Sequence, residues 1–300
     1  MAHPYQASQL FSCRGWVVLV TGGGTGIGLM CAKAFAANGA KVYITGRREE
    51  MLNNAVKVHG PALEELGGKL VPIVMDVTKK ESILAAVEVV KANDGFLSCL
   101  VNNAGGEGGR PTHGPKDGIE AYSKAMFAEA DQVEKAWLNP YQLMCVAPYL
   151  CTAAFLPLID VARKNSPQKI PGNIINISSL SGLTKWSQNG QFAYNCAKSA
   201  VIQLTRLLAT DLCPEHLNIR VNSLAPGYFA SELTTGKSGS DNFSPWPLDE
   251  YKAEMKRVHS LSDRPGTEQE MAQGIIYLAC NGYVNGQTVL IDGGLLLRHP

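Results

Sequence analysis

The chain has 300 residues, 45% of them hydrophobic and 18% charged, and a formal net charge of +1. Acids and bases are interspersed, which argues against a nucleic-acid footprint or a membrane-surface patch and leaves a small molecule as the expected partner. The amino terminus has no charged segment leading into an apolar core, and no apolar run reaches about 18 residues, so neither secretion nor a membrane span is expected and the cytoplasm is the expected compartment.

Short apolar runs rich in β-branched residues alternate with longer stretches of helical period. In chain order, residues 16–21 (WVVLVT), 41–46 (KVYITG), 70–76 (LVPIVMD), 96–102 (FLSCLVN), 173–178 (NIINIS), 219–225 (IRVNSLA) and 288–292 (TVLID) are predicted strands. Each is too short for a helix, and most are apolar on both faces, as buried parallel strands are. Between the first two, Ile27, Met30, Cys31, Ala34 and Phe35 recur on one helical face, and Gly39 is placed to close that helix. The alternation predicts an α/β fold, a doubly wound seven-stranded parallel sheet in a single domain. Residues 105–118 (GGEGGRPTHGPKDG) and 227–250 (GYFASELTTGKSGSDNFSPWPLDE) break the rhythm and are predicted loops. The second carries Phe229, Phe243 and Trp246, and irregular segments of that length are often lids or binding loops. None of the eight cysteines stands in C-x-x-C spacing, and several lie in apolar runs, so they read as reduced structural thiols and no metal site is expected.

Directly after the first strand comes TGGGTGIG, Thr21 to Gly28, and then the helix. That order suits a dinucleotide: the turn is tight, the backbone can approach a pyrophosphate, and the helix N-terminus aims free N–H groups at the anion. Tight βα packing accounts for one glycine, not for Gly22, Gly26 and Gly28 together. Far downstream, Tyr194 and Lys198 stand four apart in QFAYNCAKSAV, so they share one helical face. Taken alone, the pair could equally be a lysine stem packed over a ring.

Together TG-x-x-x-G-x-G and Y-x-x-x-K resemble the motifs of the short-chain dehydrogenase/reductase family, in its NADP(H)-preferring, 3-oxoacyl-reductase-like branch. Further matches follow in order: Asp76 ending the third strand, NNAG at 102–105, NISSLSG at 176–182, NSLAPG at 222–227 and NGQTVLIDGG at 285–294. The resemblance spans residues 12–294, with an insertion near 106–125 and a substrate-cap loop near 227–262. It implies a Rossmann fold, a nicotinamide cofactor and assembly as a homodimer or homotetramer. Position by position, it assigns cofactor binding to Thr21, Gly22, Gly24, Thr25, Gly26, Ile27 and Gly28 in the turn. Arg47 and Arg48 follow at the second strand, then Asp76 and Val77, then Asn103, Ala104 and Gly105. Tyr194, Lys198, Pro226, Gly227, Phe229 and Ser231 complete the set.

An NAD enzyme carries an acid at the end of the second strand for the ribose 2′-hydroxyl, whereas an NADP enzyme replaces it and supplies arginine for the 2′-phosphate. Here ITGRREE puts Gly46 at or beside the acid's position, with Arg47 and Arg48 next. NADP(H) is the expected cofactor; the alternative is that both arginines pair with Glu49 and Glu50.

Reduction of a ketone needs a proton for the developing alkoxide. An unperturbed phenol, with a pKa of about 10, is poorly matched to neutral pH, and a neighbouring ammonium stabilises phenolate. The resemblance therefore makes Tyr194 the proton donor, Lys198 the cation that lowers its pKa, and Ser179 the hydroxyl that orients the carbonyl. Ser181 has the commoner spacing to Tyr194 and is the alternative, while Ser178 would face away. Met144 falls where many members carry asparagine. Either proton relay runs through backbone and water, or the pocket serves a non-redox isomerisation or cyclisation; a cofactor-binding scaffold without turnover is a third reading. Trp186, Phe192, Tyr228 and Trp246 point to a bulky apolar carbonyl substrate, polyketide-like or 3-oxoacyl, unless they pack on one another or form a subunit contact.

Overall fold

The computed structural model describes residues 3–166, 171–213, 217–257 and 261–299. The strands are β1 (Val17–Thr21), β2 (Lys41–Gly46), β3 (Lys69–Val74), β4 (Cys99–Asn102), β5 (Asn173–Ile177), β6 (Arg220–Pro226) and β7 (Thr288–Ile291). They form one parallel sheet in the order β3-β2-β1-β4-β5-β6-β7. The main flanking helices are α1 (Gly26–Ala37), α2 (Glu49–Glu65), α3 (Lys80–Asn93), α4 (Ala147–Asp160), α5 (Phe192–Asp211) and α6 (Glu268–Cys280).

Side-chain alternation along each strand decides which layer it feeds. Val18 and Val20 of β1 join Phe35 of α1, Leu52 of α2 and Ile275 of α6 in one apolar cluster. Val17 and Leu19 point the other way, to Ile83 of α3 and to Phe155 and Ile159 of α4. With both faces covered, β1 is buried throughout, which is why it carries no polar alternation. Pro72 is tolerated because β3 is the outermost strand, where a missing N–H costs no ladder bond.

Two strand boundaries move by two or more residues from the sequence expectation, the others by one at most. β4 begins at Cys99 rather than residue 96, because the Leu97 N–H turns aside to the Leu158 carbonyl of α4 (2.9 Å). β3 ends at Val74; the Met75 N–H makes a last bond to Gly46, so Asp76 lies just beyond the strand. Segment 227–250 is also less irregular than expected. Ser231 and Thr234 form a capping box that starts a short helix, Glu232–Thr235, and Asp249 and Glu250 occupy the favourable first turn of another, Leu248–Arg257. The helical run Glu134–Asn165 is long and apolar enough to cross a membrane by length and composition. Here its α4 portion buries Cys151, Phe155 and Ile159 against the sheet, as a core helix does.

β1 pairs with β2 on one side and β4 on the other, so the strand order reverses between β1 and β4. The crevice beyond the carboxyl ends of the strands at such a reversal is where open α/β sheets bind ligands.

Candidate active site

At the reversal, two loops are stitched together. The Thr21 hydroxyl accepts from the N–H groups of Asn103 (2.9 Å) and Ala104 (3.0 Å). The Asn103 amide donates back to the carbonyls of Thr21 (2.8 Å) and Gly22 (3.2 Å). Asn103 therefore holds the glycine turn in shape. Gly22 (φ +65) and Gly26 (φ +52) are left-handed, and a Cβ on Gly28 would overlap the Gly22 carbonyl and the Asn103 amide. Thr25 is the N-cap of α1, yet its hydroxyl makes no capping bond, so the first-turn N–H groups of α1 meet no acceptor from it. A left-handed glycine cradle beside a helix N-terminus that its own N-cap leaves uncapped fits a pyrophosphate.

At the end of β2, Arg47 is exposed, and Arg48 forks onto Glu232 with 3.1 and 2.7 Å contacts. The partner of Arg48 is thus neither Glu49 nor Glu50. Asp76 accepts from the backbone N–H (2.9 Å) and hydroxyl (2.7 Å) of Thr78. Burial pushes its carboxyl up, but the Thr78 bonds and the charges of Arg47 and Lys79 outweigh that and hold it below the usual carboxylate range. Val77 beside it is buried.

Tyr194 and Lys198 project from the first turns of α5. The Ser179 hydroxyl stands near enough to the Tyr194 phenol to favour its ionised form, and the Lys198 ammonium sits 5.7 Å from the phenol ring centroid. Lys198 donates to the Ile177 carbonyl at the end of β5 (2.9 Å). The expectation that the ammonium lowers the phenol pKa does not hold within the protein's own atoms. Burial pushes Tyr194 up to about 12, the nearby Ser179 hydroxyl opposing it only in part. Burial likewise pulls Lys198 down to about 8. Lys198 is buried and Tyr194 half-buried, and the ammonium spends a hydrogen bond on a carbonyl rather than on the phenol. At neutral pH the phenol therefore keeps its proton and the amine its charge, the states a proton donor and its neighbouring cation need. Lys198 becomes neutral as pH rises through about 8, so reductive turnover is expected to decline above that pH. A kcat–pH profile that stays flat to about pH 10 would show that the charge is not required.

The serines sort by direction. Ser178 spends its hydroxyl on β6, bonding Ser223 (2.6 Å) and the Leu224 carbonyl (3.1 Å). Ser179 caps a short turn, accepting from the Ser181 N–H (3.1 Å), and it is Ser179 whose hydroxyl meets Tyr194. Met144 is buried in a π-helical turn, and a Cβ built on Gly105 would lie 3.9 Å from both its Cγ and the Lys198 Nζ. Met144 and the Lys198 ammonium thus both stand beside Gly105, with a thioether at the position expected for asparagine.

Ser179 and Tyr194 open into a cavity of about 290 Å³, walled by Ile27, Trp186, Tyr228 and Trp246 among others. The aromatic residues do both things the sequence allowed. Trp246 packs edge-on to Tyr251 (4.9 Å between centroids) and Trp186 stacks on His299 (4.3 Å), yet both tryptophans still line the cavity. Phe192 does not line it. Pro226 and Gly227 pass beneath; a Cβ on Gly227 would reach the Asp292 backbone at 2.6 Å. Phe229 is largely core, packed against Gly266, while Ser231 faces Gly26.

Three features were not read from the sequence. Asn102 donates to Asn176 (2.9 Å), which donates to Thr205 (2.9 Å), a buried polar chain tying β4, β5 and α5 together under the site. Asparagines inside the apolar runs of β4 and β5 were the available signal. Gln188, Asn189 and Gly190 are left-handed in succession (φ 53, 63 and 86), which turns the Trp186 loop over the cavity. Glu232 faces Arg48, and nothing local to either residue announces it.

A doubly wound sheet with a glycine cradle and a Tyr–Lys pair at its switch point defines a nicotinamide-dependent oxidoreductase acting on a small molecule. A short chain dehydrogenase family profile matches residues 16–241, and the chain belongs to that family. It is 32% identical to the short-chain dehydrogenase/reductase VdtF of Byssochlamys spectabilis, over 98% of this chain and 97% of that protein. It is 30% identical to a rhamnolipids biosynthesis 3-oxoacyl-[acyl-carrier-protein] reductase of Pseudomonas aeruginosa, over 98% and 100%. Among solved structures, the Pseudomonas aeruginosa RhlG/NADP active-site complex superposes with a TM-score of 0.74 at 28% identity, covering 98% of this chain and 99% of that one.

Proposed function

We propose that the protein is an NADPH-dependent reductase of a ketone in a bulky lipophilic molecule, polyketide-like or 3-oxoacyl. The observation that carries this reading is the Ser179–Tyr194 hydroxyl pair, with Lys198 beside it, opening into an aromatic-walled cavity. NADPH would supply the hydride. The glycine turn and the N-terminus of α1 hold its pyrophosphate, Arg47 meets its 2′-phosphate, and Asp76 its adenine. Ser179 donates to the substrate carbonyl and orients it. Tyr194 passes its proton to the same oxygen as charge develops there. Lys198 holds positive charge next to the phenol, which limits the cost of the phenolate left behind. Trp186, Tyr228 and Trp246 exclude water and give the substrate an apolar seat.

The names of the relatives, a 3-oxoacyl reductase and an NADP complex, support the substrate class and the cofactor. Exposed Leu138, Tyr141, Tyr149 and Leu207 on the helical segments suit a homodimer or homotetramer. Cytoplasmic placement belongs to the same reading. Consumption of NADPH and of NADH should be followed against a mixed carbonyl library, with wild type and Arg47→Ala. Turnover of a lipophilic ketone with NADPH preferred, and that preference lost in Arg47→Ala, is the expected result. Product formation without any nucleotide consumption would replace this reading with the isomerase or cyclase, which the buried Met144 thioether favours.

A further inference from the structure

Residues 231–244 fold back over the cofactor cradle as a strap. At its near end, a Cβ on Gly26 would come within 3.0 Å of the Ser231 Cβ, and the Thr25 hydroxyl donates to Glu232 (3.4 Å). At its far end Asn242, buried and left-handed (φ 62), donates to the carbonyls of Gly24 (2.8 Å) and Met51 (2.6 Å) and accepts from Asn54 (2.8 Å). The strap is thus tied to the glycine turn and to α2 independently of Glu232.

The Glu232 carboxylate receives both arms of Arg48 and the Ser238 hydroxyl (2.9 Å). The Arg48–Glu232 pair bridges the gap between the end of β2 and the glycine turn. A dinucleotide must pass through that gap, since its adenosine ribose lies at the strand end and its pyrophosphate at the helix N-terminus. A carboxylate has the wrong charge for such a path. Glu232 keeps its charge because the bond from Arg48, with further bonds from Ser238 and Thr25, holds its carboxyl below the ordinary range. Arg48 in turn is already engaged. A dinucleotide with a 2′-phosphate has to exchange carboxylate for phosphate before it can use Arg48, and one with a bare 2′-hydroxyl does not.

We propose that Glu232 is a cofactor-discriminating residue: it withholds Arg48 from the 2′-phosphate, leaves that phosphate to Arg47, and narrows the margin by which the site prefers NADP(H) over NAD(H). The inference rests on the cofactor reading above. The test is direct binding of NADP⁺ and of NAD⁺, without substrate, by calorimetric titration of the wild-type protein, Glu232→Gln and Glu232→Ala. Freeing a part-exposed arginine should tighten NADP⁺ binding by about fivefold and change NAD⁺ binding less, so the preference ratio rises. Adding Arg48→Gln to either variant should remove the gain. Glu232→Ala serves as the second variant because a glutamine amide could still bond Arg48. NADP⁺ binding with an unchanged or lower ratio in both variants overturns this inference alone. A wild-type protein that binds neither dinucleotide overturns the cofactor reading and this inference with it.

Discussion

Tyr194→Phe is expected to lower kcat for ketone reduction by about 10²–10⁴-fold, the usual contribution of a positioned general acid. The change removes one oxygen and leaves the half-buried ring, so packing around α5 is preserved. Lys198 keeps its bond to the Ile177 carbonyl, and Ser179 keeps the Ser181 N–H, so neither neighbour is stranded. Dinucleotide affinity and the melting temperature should therefore stay close to wild type. Single-turnover absorbance of NADPH, with a melting curve on the same samples, separates the outcomes. A variant that consumes NADPH at the wild-type rate would show that the proton comes from elsewhere. Loss of rate together with loss of nucleotide binding would make Tyr194 a binding residue first.

Gly28→Ala should abolish measurable dinucleotide binding and also destabilise the fold. The added methyl would strike the Gly22 carbonyl and the Asn103 amide, which are backbone and a doubly bonded side chain rather than a free side-chain end. Relief means pushing α1 away from the turn. Overpacking of this kind costs about 1–3 kcal/mol and displaces the N–H groups meant for the pyrophosphate. Gly60→Ala is the matched control. Gly60 lies inside α2, where a Cβ would meet only Val56 at an ordinary 3.7 Å. Alanine is the better helix former, so that variant should melt at or above the wild-type temperature. Calorimetric titration with NADP⁺ and thermal melts of both proteins decide the matter; Gly28→Ala binding as wild type would mean the cradle is not where the cofactor lies.

Much of the framework was legible before any coordinates. Strand positions, the β1–α1 glycine turn, and the shared face of Tyr194 and Lys198 depend on periodicities within one or two turns of chain, and such patterns survive in sequence. The bonds from the Asn103 amide N–H groups to the Thr21 and Gly22 carbonyls join segments about 80 positions apart and leave no local mark in the sequence. The serine assignment depended on how residues 184–190 fold, and their left-handed run at 188–190 is a property of the folded loop.

By itself, then, the sequence determined an α/β fold of seven parallel strands, the place of the glycine turn between β1 and α1, and which phenol and amine share a helical face. Only the tertiary structure decided how those groups titrate and who their partners are. Burial, not the nearby cation, governs the Tyr194 phenol, because desolvation depends on everything packed around it. Arg48 and Glu232 meet across 184 positions of chain, and a contact at that distance leaves no periodic mark on either segment.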